Sequence, residues 1–344
     1  MQHFPFLGNV VDNEGDNMYP YVHLLPRRDQ FIFVNTQAVL YDYNANEIVT
    51  TYPQLQGGPR NYPFVGSSIM LALEGDYSTA IIIICNRAQY DAYQNDSVNL
   101  PTQGTCGRIV ATDPNLAWEM DTMPFVWNMG EMVMLPTGDV VIINGAQAGS
   151  QGFGLATNPA LNSILYQPDQ PLGSRFMTLN PTTIPIMYHS TANLLPDGRI
   201  LLAGSNTHWA YTWVQPLPTE LRIEAFSPVY LSVDNSNLRP VIAKASKSMQ
   251  YGSTLYNVYV TMQSPLTGTW EVNFASAPYS THSFSQGQRL VKMNIVRPIL
   301  LGDNGQYKIV FQALPNGEVA PLEYYMMFVV NQGVLSAAIW VLIS

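Results

Sequence analysis

The stretch Thr183-Ile184-Pro185-Ile186-Met187-Tyr188-His189-Ser190-Thr191-Ala192-Asn193-Leu194-Leu195-Pro196-Asp197-Gly198-Arg199-Ile200-Leu201-Leu202-Ala203-Gly204-Ser205-Asn206 decides the fold. Leu194 to Gly204 reads as a strand, a tight Pro-Asp-Gly turn and a second apolar strand. Just before this hairpin stand Tyr188 and His189, two side chains able to bind a metal. Neighbours on a regular strand point to opposite faces. Both could therefore reach one metal only where the backbone turns, at a strand end or in a loop. Taken alone, the pair reads as a buried Tyr beside a hydrogen-bonded His.

The hairpin recurs. Val22 to Pro26 leads through Arg27-Arg28-Asp29 into Gln30 to Val34, and Glu131 to Pro136 leads through Thr137-Gly138-Asp139 into Val140 to Ile143. A degenerate copy runs from Ile69 to Gly75 and then Ala80 to Cys85. With Pro26, Leu73, Pro136 and Pro196 as markers, the steps are 47, 63 and 60 residues. Later strands close the steps, among them Gln37 to Asp42, Ser163 to Tyr166 and Leu221 to Phe226. Four short strands in each step of roughly 50 residues is the signature of kelch-type propeller blades. Helical periodicity is weak throughout.

The pattern stops near Tyr230. Residues 232–239 read as a linker, and residues 241–344 have shorter steps between turns at 251–253, 264–268, 302–305 and 315–317. About seven alternating strands, including Leu255 to Met262, Gln306 to Ala313 and Tyr324 to Val330, fit an immunoglobulin-like sandwich. The expected organisation is all-β, with a kelch-type propeller over residues 1–236 and an immunoglobulin-like domain over residues 237–344. Residues 1–231 hold about four blades. Closure removes edge strands and usually needs more, so an N-terminally incomplete propeller is expected.

Composition agrees. Of 344 residues, 11% are charged and 11% aromatic, with 24 Gly, 25 Pro and 20 Tyr. Few charges and many turn formers favour an all-β globular chain. The formal charge of −9 leaves no basic footprint for nucleic acid. No apolar run reaches membrane-span length. Gln2-His3-Phe4-Pro5-Phe6 has neither the basic nor the apolar region of a signal peptide. Cys85 and Cys106 are the whole cysteine complement, too few for a zinc motif. They are either a reduced pair in a cytosolic chain or a disulfide across a surface loop, worth about 3 kcal/mol by loop closure. Asn95-Asp96-Ser97 lies between them as a glycosylation sequon, which points toward secretion.

Four motifs carry a resemblance. They are Gly57-Gly58-Pro59-Arg60-Asn61-Tyr62-Pro63, the opening stretch, Pro218-Thr219-Glu220-Leu221-Arg222-Ile223-Glu224-Ala225-Phe226-Ser227-Pro228, and Ser280-Thr281-His282-Ser283-Phe284-Ser285-Gln286-Gly287-Gln288-Arg289. In this order the chain resembles the plant glyoxal oxidases, galactose-oxidase-like copper radical oxidases. The resemblance implies a seven-bladed propeller and a secreted, cell-wall, monomeric enzyme. It implies a copper centre that oxidises an aldehyde or primary alcohol, reducing O₂ to hydrogen peroxide. By motif, Tyr62 matches the equatorial tyrosine that carries the radical, normally crosslinked to a cysteine. Tyr188 matches the axial tyrosine that acts as general base. His189 and His282 match the imidazole ligands. Two imidazoles and phenolate oxygens suit Cu(II), and a tyrosyl radical supplies the second redox centre that one-electron chemistry on an alcohol needs.

Blander readings stand beside these. Tyr62 alone is a packed strand-end residue, and His282 alone is a solvated hairpin histidine. His208 is a polar neighbour with no metal role by motif. His3 and His23 are structural, and Met120, Met123, Met129, Met132 and Met134 are core filler. The crosslinking cysteine of the family lies upstream of its tyrosine, and this chain has no counterpart. Cys85 and Cys106 both follow Tyr62 and fit a disulfide better. The competing functional readings are a catalytically silent propeller binding a glycan or protein, and a purely structural extracellular protein. The substrate itself is not legible.

Overall fold

The computed structural model describes residues 4–27, 29–95, 99–263, 268–301 and 305–344. His3, Asp96, Ser97 and most of the predicted turns at 264–268 and 302–305 lie outside them. The deciding hairpin is present: Ser190–Leu194 pairs antiparallel with Ile200–Gly204, Leu194 opposite Ile200. The Leu195 N–H donates to Arg199 O at 2.8 Å and the Gly198 N–H to Leu195 O at 2.9 Å. Gly198 has φ +91°, and a Cβ there would come within 2.7 Å of Leu335 Cδ1, so the turn needs glycine for backbone and space alike. The same two bonds close the Leu135–Asp139 turn, and Leu25 N–H donates to Asp29 O at the first copy.

Four antiparallel sheets follow in chain order. Sheet one comprises Tyr21–Leu24, Asp29–Val34, Gln37–Asp42 and Glu47–Thr51. Sheet two comprises Ser67–Met70, Ile81–Arg87, Gln103–Val110 and Glu119–Thr122. Sheet three comprises Glu131–Met134, Val140–Ile143, Asn162–Tyr166 and Phe176–Pro181. Sheet four has three strands where four were expected: Ser190–Leu194, Ile200–Gly204 and Ile223–Phe226. The segment before its last strand carries Pro216 and Pro218, which cannot donate ladder hydrogen bonds. The first strands of successive sheets touch one another in chain order, as the inner strands of a propeller do around its axis.

The C-terminal part is a sandwich of a four-stranded and a six-stranded sheet. It exceeds the seven strands expected because pieces such as Ser248–Met249, Leu290–Lys292 and Val334–Leu335 are too short to show a period. Its central strand, Glu323–Asn331, explains how the two parts join. Tyr325, Met327 and Val329 enter the sandwich core. Met326, Phe328 and Val330 enter a second core with strands of sheets two, three and four. The strand is thus apolar on both faces and not alternating as the sequence suggested, because each face meets a different partner. From the same sandwich a hairpin, Tyr279–Thr281 with Phe284–Gln286, reaches over and lies against the first strands of sheets two, three and four. The whole is a kelch-type β-propeller followed by an immunoglobulin-like sandwich. Among the described residues no helix is long and apolar enough to cross a membrane.

Cys85 and Cys106 face each other on neighbouring strands of sheet two and are bonded, S–S 2.08 Å and Cα–Cα 4.1 Å. Both are buried, with the loop that carries exposed Asn95 beyond their strand ends. The sequence separation is 21 residues. Loop closure over that span gives about 3 kcal/mol of stabilisation. C85A/C106A is therefore expected to lower the urea midpoint by a corresponding amount. An unchanged midpoint would show that the crosslink adds nothing.

Candidate metal centre

The backbone resolves the problem of the adjacent pair. His189 has φ +60°, a left-handed turn placed between Tyr188 and the strand that starts at Ser190. This swings both rings to one side, where they stack with centroids 3.9 Å apart and planes 21° apart. The turn is held by Asn206 N–H to Tyr188 O at 2.9 Å, Met187 N–H to Ser205 Oγ at 2.9 Å and Ser190 Oγ–H to Met187 O at 2.7 Å. His189 Nδ1 lies 2.7 Å from Asn206 O. A carbonyl only accepts, so Nδ1 carries a proton, and Nε2 is the nitrogen left to face a metal.

His282 arrives from the sandwich at the tip of its hairpin. It does not point to the outer face. His282 and Ser283 have φ +53° and +54°, the primed turn that a two-residue hairpin requires, built here without glycine. Each such residue costs about 1–2 kcal/mol, so the surroundings must fix the tip. Gln151 Nε2–H donates to His282 O at 2.7 Å, and buried Ser283 sits at 3.4 Å from Met187 O. His282 Nδ1 is 3.0 Å from the Tyr188 hydroxyl.

Tyr62 completes the group. Its loop is set by Gly57 and Gly58, at φ +98° and +102°, and by Arg60, which is fully buried. Arg60 donates to Asn86 O, Thr105 O, Gln56 O and Thr105 Oγ1 at 2.9–3.0 Å, pinning the loop to sheet two. The Tyr62 ring stands edge-on to His282, centroids 5.9 Å apart. Tyr62, Tyr188, His189 and His282 thus meet at one place. His23 and His208 do not join them: His23 Nε2 is 2.7 Å from Ser68 Oγ, and His208 Nε2 is 2.9 Å from Leu217 O.

Burial pushes the Tyr188 phenol up to about 12, with the Tyr19 and Tyr93 phenols adding to it. Burial likewise raises the Tyr62 phenol, helped by a hydrogen bond with Tyr93. Burial lowers the His282 imidazole, and His189 lowers it further. A neutral imidazole is the form that binds a metal. Among the described residues no three His, Cys, Asp or Glu side chains converge as a metal-binding group. A metal here must use the phenols, and two imidazoles with two phenols are a donor set for Cu(II) and not for Ca²⁺ or a thiolate-bound ion. Both cysteine sulfurs of this sequence are joined to each other in the disulfide.

No motif pointed to Tyr19, whose ring lies 3.7 Å from that of His282. Its φ of +56° directly before Pro20 is an outlier visible only in the backbone. Phe153, centroid 5.9 Å from His189, and Gln151 were equally silent. So was Glu131, fully buried, whose carboxyl burial raises to about 7 against the hydrogen bonds of Ser280, Ala192 and Asn144. Its folded value exceeds the unfolded one, so its contribution is most favourable below about pH 4.5 and is lost as pH rises through about 7, roughly 1–3 kcal/mol in all. Wild type should lose more stability to urea between pH 5 and 8 than Glu131→Gln. Equal losses would contradict this.

The family model for the glyoxal oxidase N-terminus matches residues 1–230, and that for the galactose oxidase-like Early set domain matches residues 239–343. This chain belongs to the glyoxal oxidase family. It is 59% identical over 337 residues to Aldehyde oxidase GLOX of Vitis pseudoreticulata, covering 98% of this chain and 64% of the relative. It is 37% identical over 348 residues to Aldehyde oxidase GLOX1 of Arabidopsis thaliana, covering 97% and 56%. The chain therefore spans somewhat more than half the length of these relatives. Among solved structures, a fungal alcohol oxidase in complex with copper superposes with TM-score 0.64 at 19% identity, covering 95% of this chain and 76% of the other. At that identity the likeness shows the fold alone.

Proposed function

We propose that the chain carries the copper centre of an oxidase acting on aldehydes or primary alcohols with O₂. The observation that carries this is the convergence of Tyr62, Tyr188, His189 and His282 from three distant segments, with His189 Nδ1 already committed to a carbonyl. The reactions balance as RCH₂OH + O₂ → RCHO + H₂O₂ and, for a hydrated aldehyde, RCH(OH)₂ + O₂ → RCOOH + H₂O₂. Bound copper would supply a Lewis acid and one redox equivalent. His189 and His282 would hold it. Tyr188, bound as a phenolate after giving its own proton to solvent, would take the substrate hydroxyl proton at Oη, and Tyr62 would hold the second oxidising equivalent as a tyrosyl radical. A silent propeller would have no need of two imidazoles gathered with two phenols.

The same proposal takes residues 1–236 and 237–344 as the two domains and about four blades of a seven-bladed ring for the first. It takes a small aldehyde or alcohol and O₂ as partners of a monomer, and secretion to the cell wall with glycosylation at Asn95. A formed disulfide supports secretion. The test is peroxide release by the copper-loaded protein with methylglyoxal, glyoxal or a primary alcohol. Release that needs both copper and substrate is the expected result. Full copper loading with no peroxide above the metal-free protein would overturn the proposal.

A further inference from the structure

We infer that Glu131 is a positioning residue of this centre: its buried carboxyl ties sheet three, beside the strand that follows His189, to the hairpin that carries His282. The inference rests on the copper proposal for its meaning, and on the following geometry for its substance. Glu131 opens the first strand of sheet three and is fully buried. Among the described residues no ion pair involves it. Its Oε1 accepts the Ser280 hydroxyl, and its Oε2 accepts Asn144 Nδ2–H at 3.3 Å. The backbone N–H of Ala192 faces the same carboxyl and lowers its pKa. The two donors and this facing N–H belong to three different pieces. Asn144 ends the neighbouring strand of the same sheet, Ala192 lies three residues after His189, and Ser280 lies two residues before His282.

A propeller does not need a carboxyl at this place. The residues five positions before the markers Pro26, Leu73, Pro136 and Pro196 are Tyr21, Ser68, Glu131 and Thr191. Uncharged side chains serve the same strand position in the other sheets. Burying a carboxyl is unfavourable unless several donors meet it, and here the donors come from both halves of the candidate site. The hairpin itself needs such a hold. It is an isolated two-stranded ribbon with two left-handed non-glycine residues at its tip, and such ribbons are marginal alone. The Gln151 bond fixes the tip, and the Glu131–Ser280 bond fixes the strand leading into it.

The experiment compares Glu131→Gln, Ser280→Ala and the double variant in the full chain by two readouts. The first is amide hydrogen exchange of residues 279–286 in the metal-free protein. The second is Cu(II) affinity by chelator competition with the Cu(II) electron paramagnetic resonance spectrum. Each single variant is expected to speed exchange of the hairpin at least several-fold, with the strands of sheet three unchanged. Each is expected to weaken Cu(II) by about 10- to 100-fold and alter its spectrum. The double variant should be no worse than the worse single one. Unchanged hairpin exchange in both singles would overturn the inference. So would losses that add in the double variant and are matched by a global fall in melting temperature. If wild type binds no Cu(II) while the variants still free the hairpin, the copper proposal fails and the clamp between Glu131 and the hairpin stands. Should Glu131→Gln not fold, Ser280→Ala decides alone, since it removes one hydroxyl from a half-buried side chain.

Discussion

His282→Ala is expected to remove tight Cu(II) binding while leaving the fold intact. The imidazole sits at a hairpin tip, half-buried, with Nδ1 on the Tyr188 hydroxyl and its ring against those of Tyr19, Tyr62 and Tyr188, outside the main cores. Its loss takes away one of two nitrogen donors and leaves two phenols and His189. Changing a partner of a ligand already costs roughly 10- to 100-fold in affinity, so loss of the ligand itself should cost on the order of 100-fold or more. His189→Ala should do the same, and the double variant should behave as a protein without a site. Chelator competition measures this, and far-ultraviolet dichroism checks the fold. Affinity unchanged in both single variants would place the metal elsewhere.

The second large effect concerns the hydroxyl of Tyr188. Tyr188→Phe keeps the ring stacked on His189 and buried among Met129, Ala146, Ala156 and Met187, and deletes only the oxygen. If Tyr188 Oη takes the substrate proton, peroxide release should fall about 10²- to 10⁴-fold, the usual worth of a positioned acid–base group. Copper should remain bound through the two imidazoles, somewhat more weakly. Loss of turnover with copper retained separates this role from a purely structural one. A variant that turns over at the wild-type rate would assign the proton to another group.

Much of this was legible in the residues. Pro-Asp-Gly and Pro-Thr-Gly demand turns of one kind, and Gly198 and Gly138 supply the positive φ that such turns use. The repeat of these turns carries the propeller, because each copy must bury one face against the next. The four candidate donors were readable through the motifs around them. The environment of those donors was not. Tyr19 reaches His282 by a backbone conformation that the residue before a proline seldom adopts. Glu131 looks like any polar residue at a strand start, and its meaning comes from Ser280, a residue 149 positions away. Glu323–Asn331 misled in a different way: its apolar run serves two cores, and period two disappears when both faces are covered. The fourth sheet lost a strand to two prolines whose effect depends on their register within the ladder.

The most direct test of the copper centre is a Cu(II) titration of the 344-residue protein followed by electron paramagnetic resonance. One equivalent of Cu(II) per chain is expected, in a tetragonal spectrum with superhyperfine splitting from two imidazole nitrogens, reduced to one in His282→Ala and in His189→Ala. Saturation without nitrogen splitting, or splitting that survives both substitutions, would show that these four side chains do not form the site.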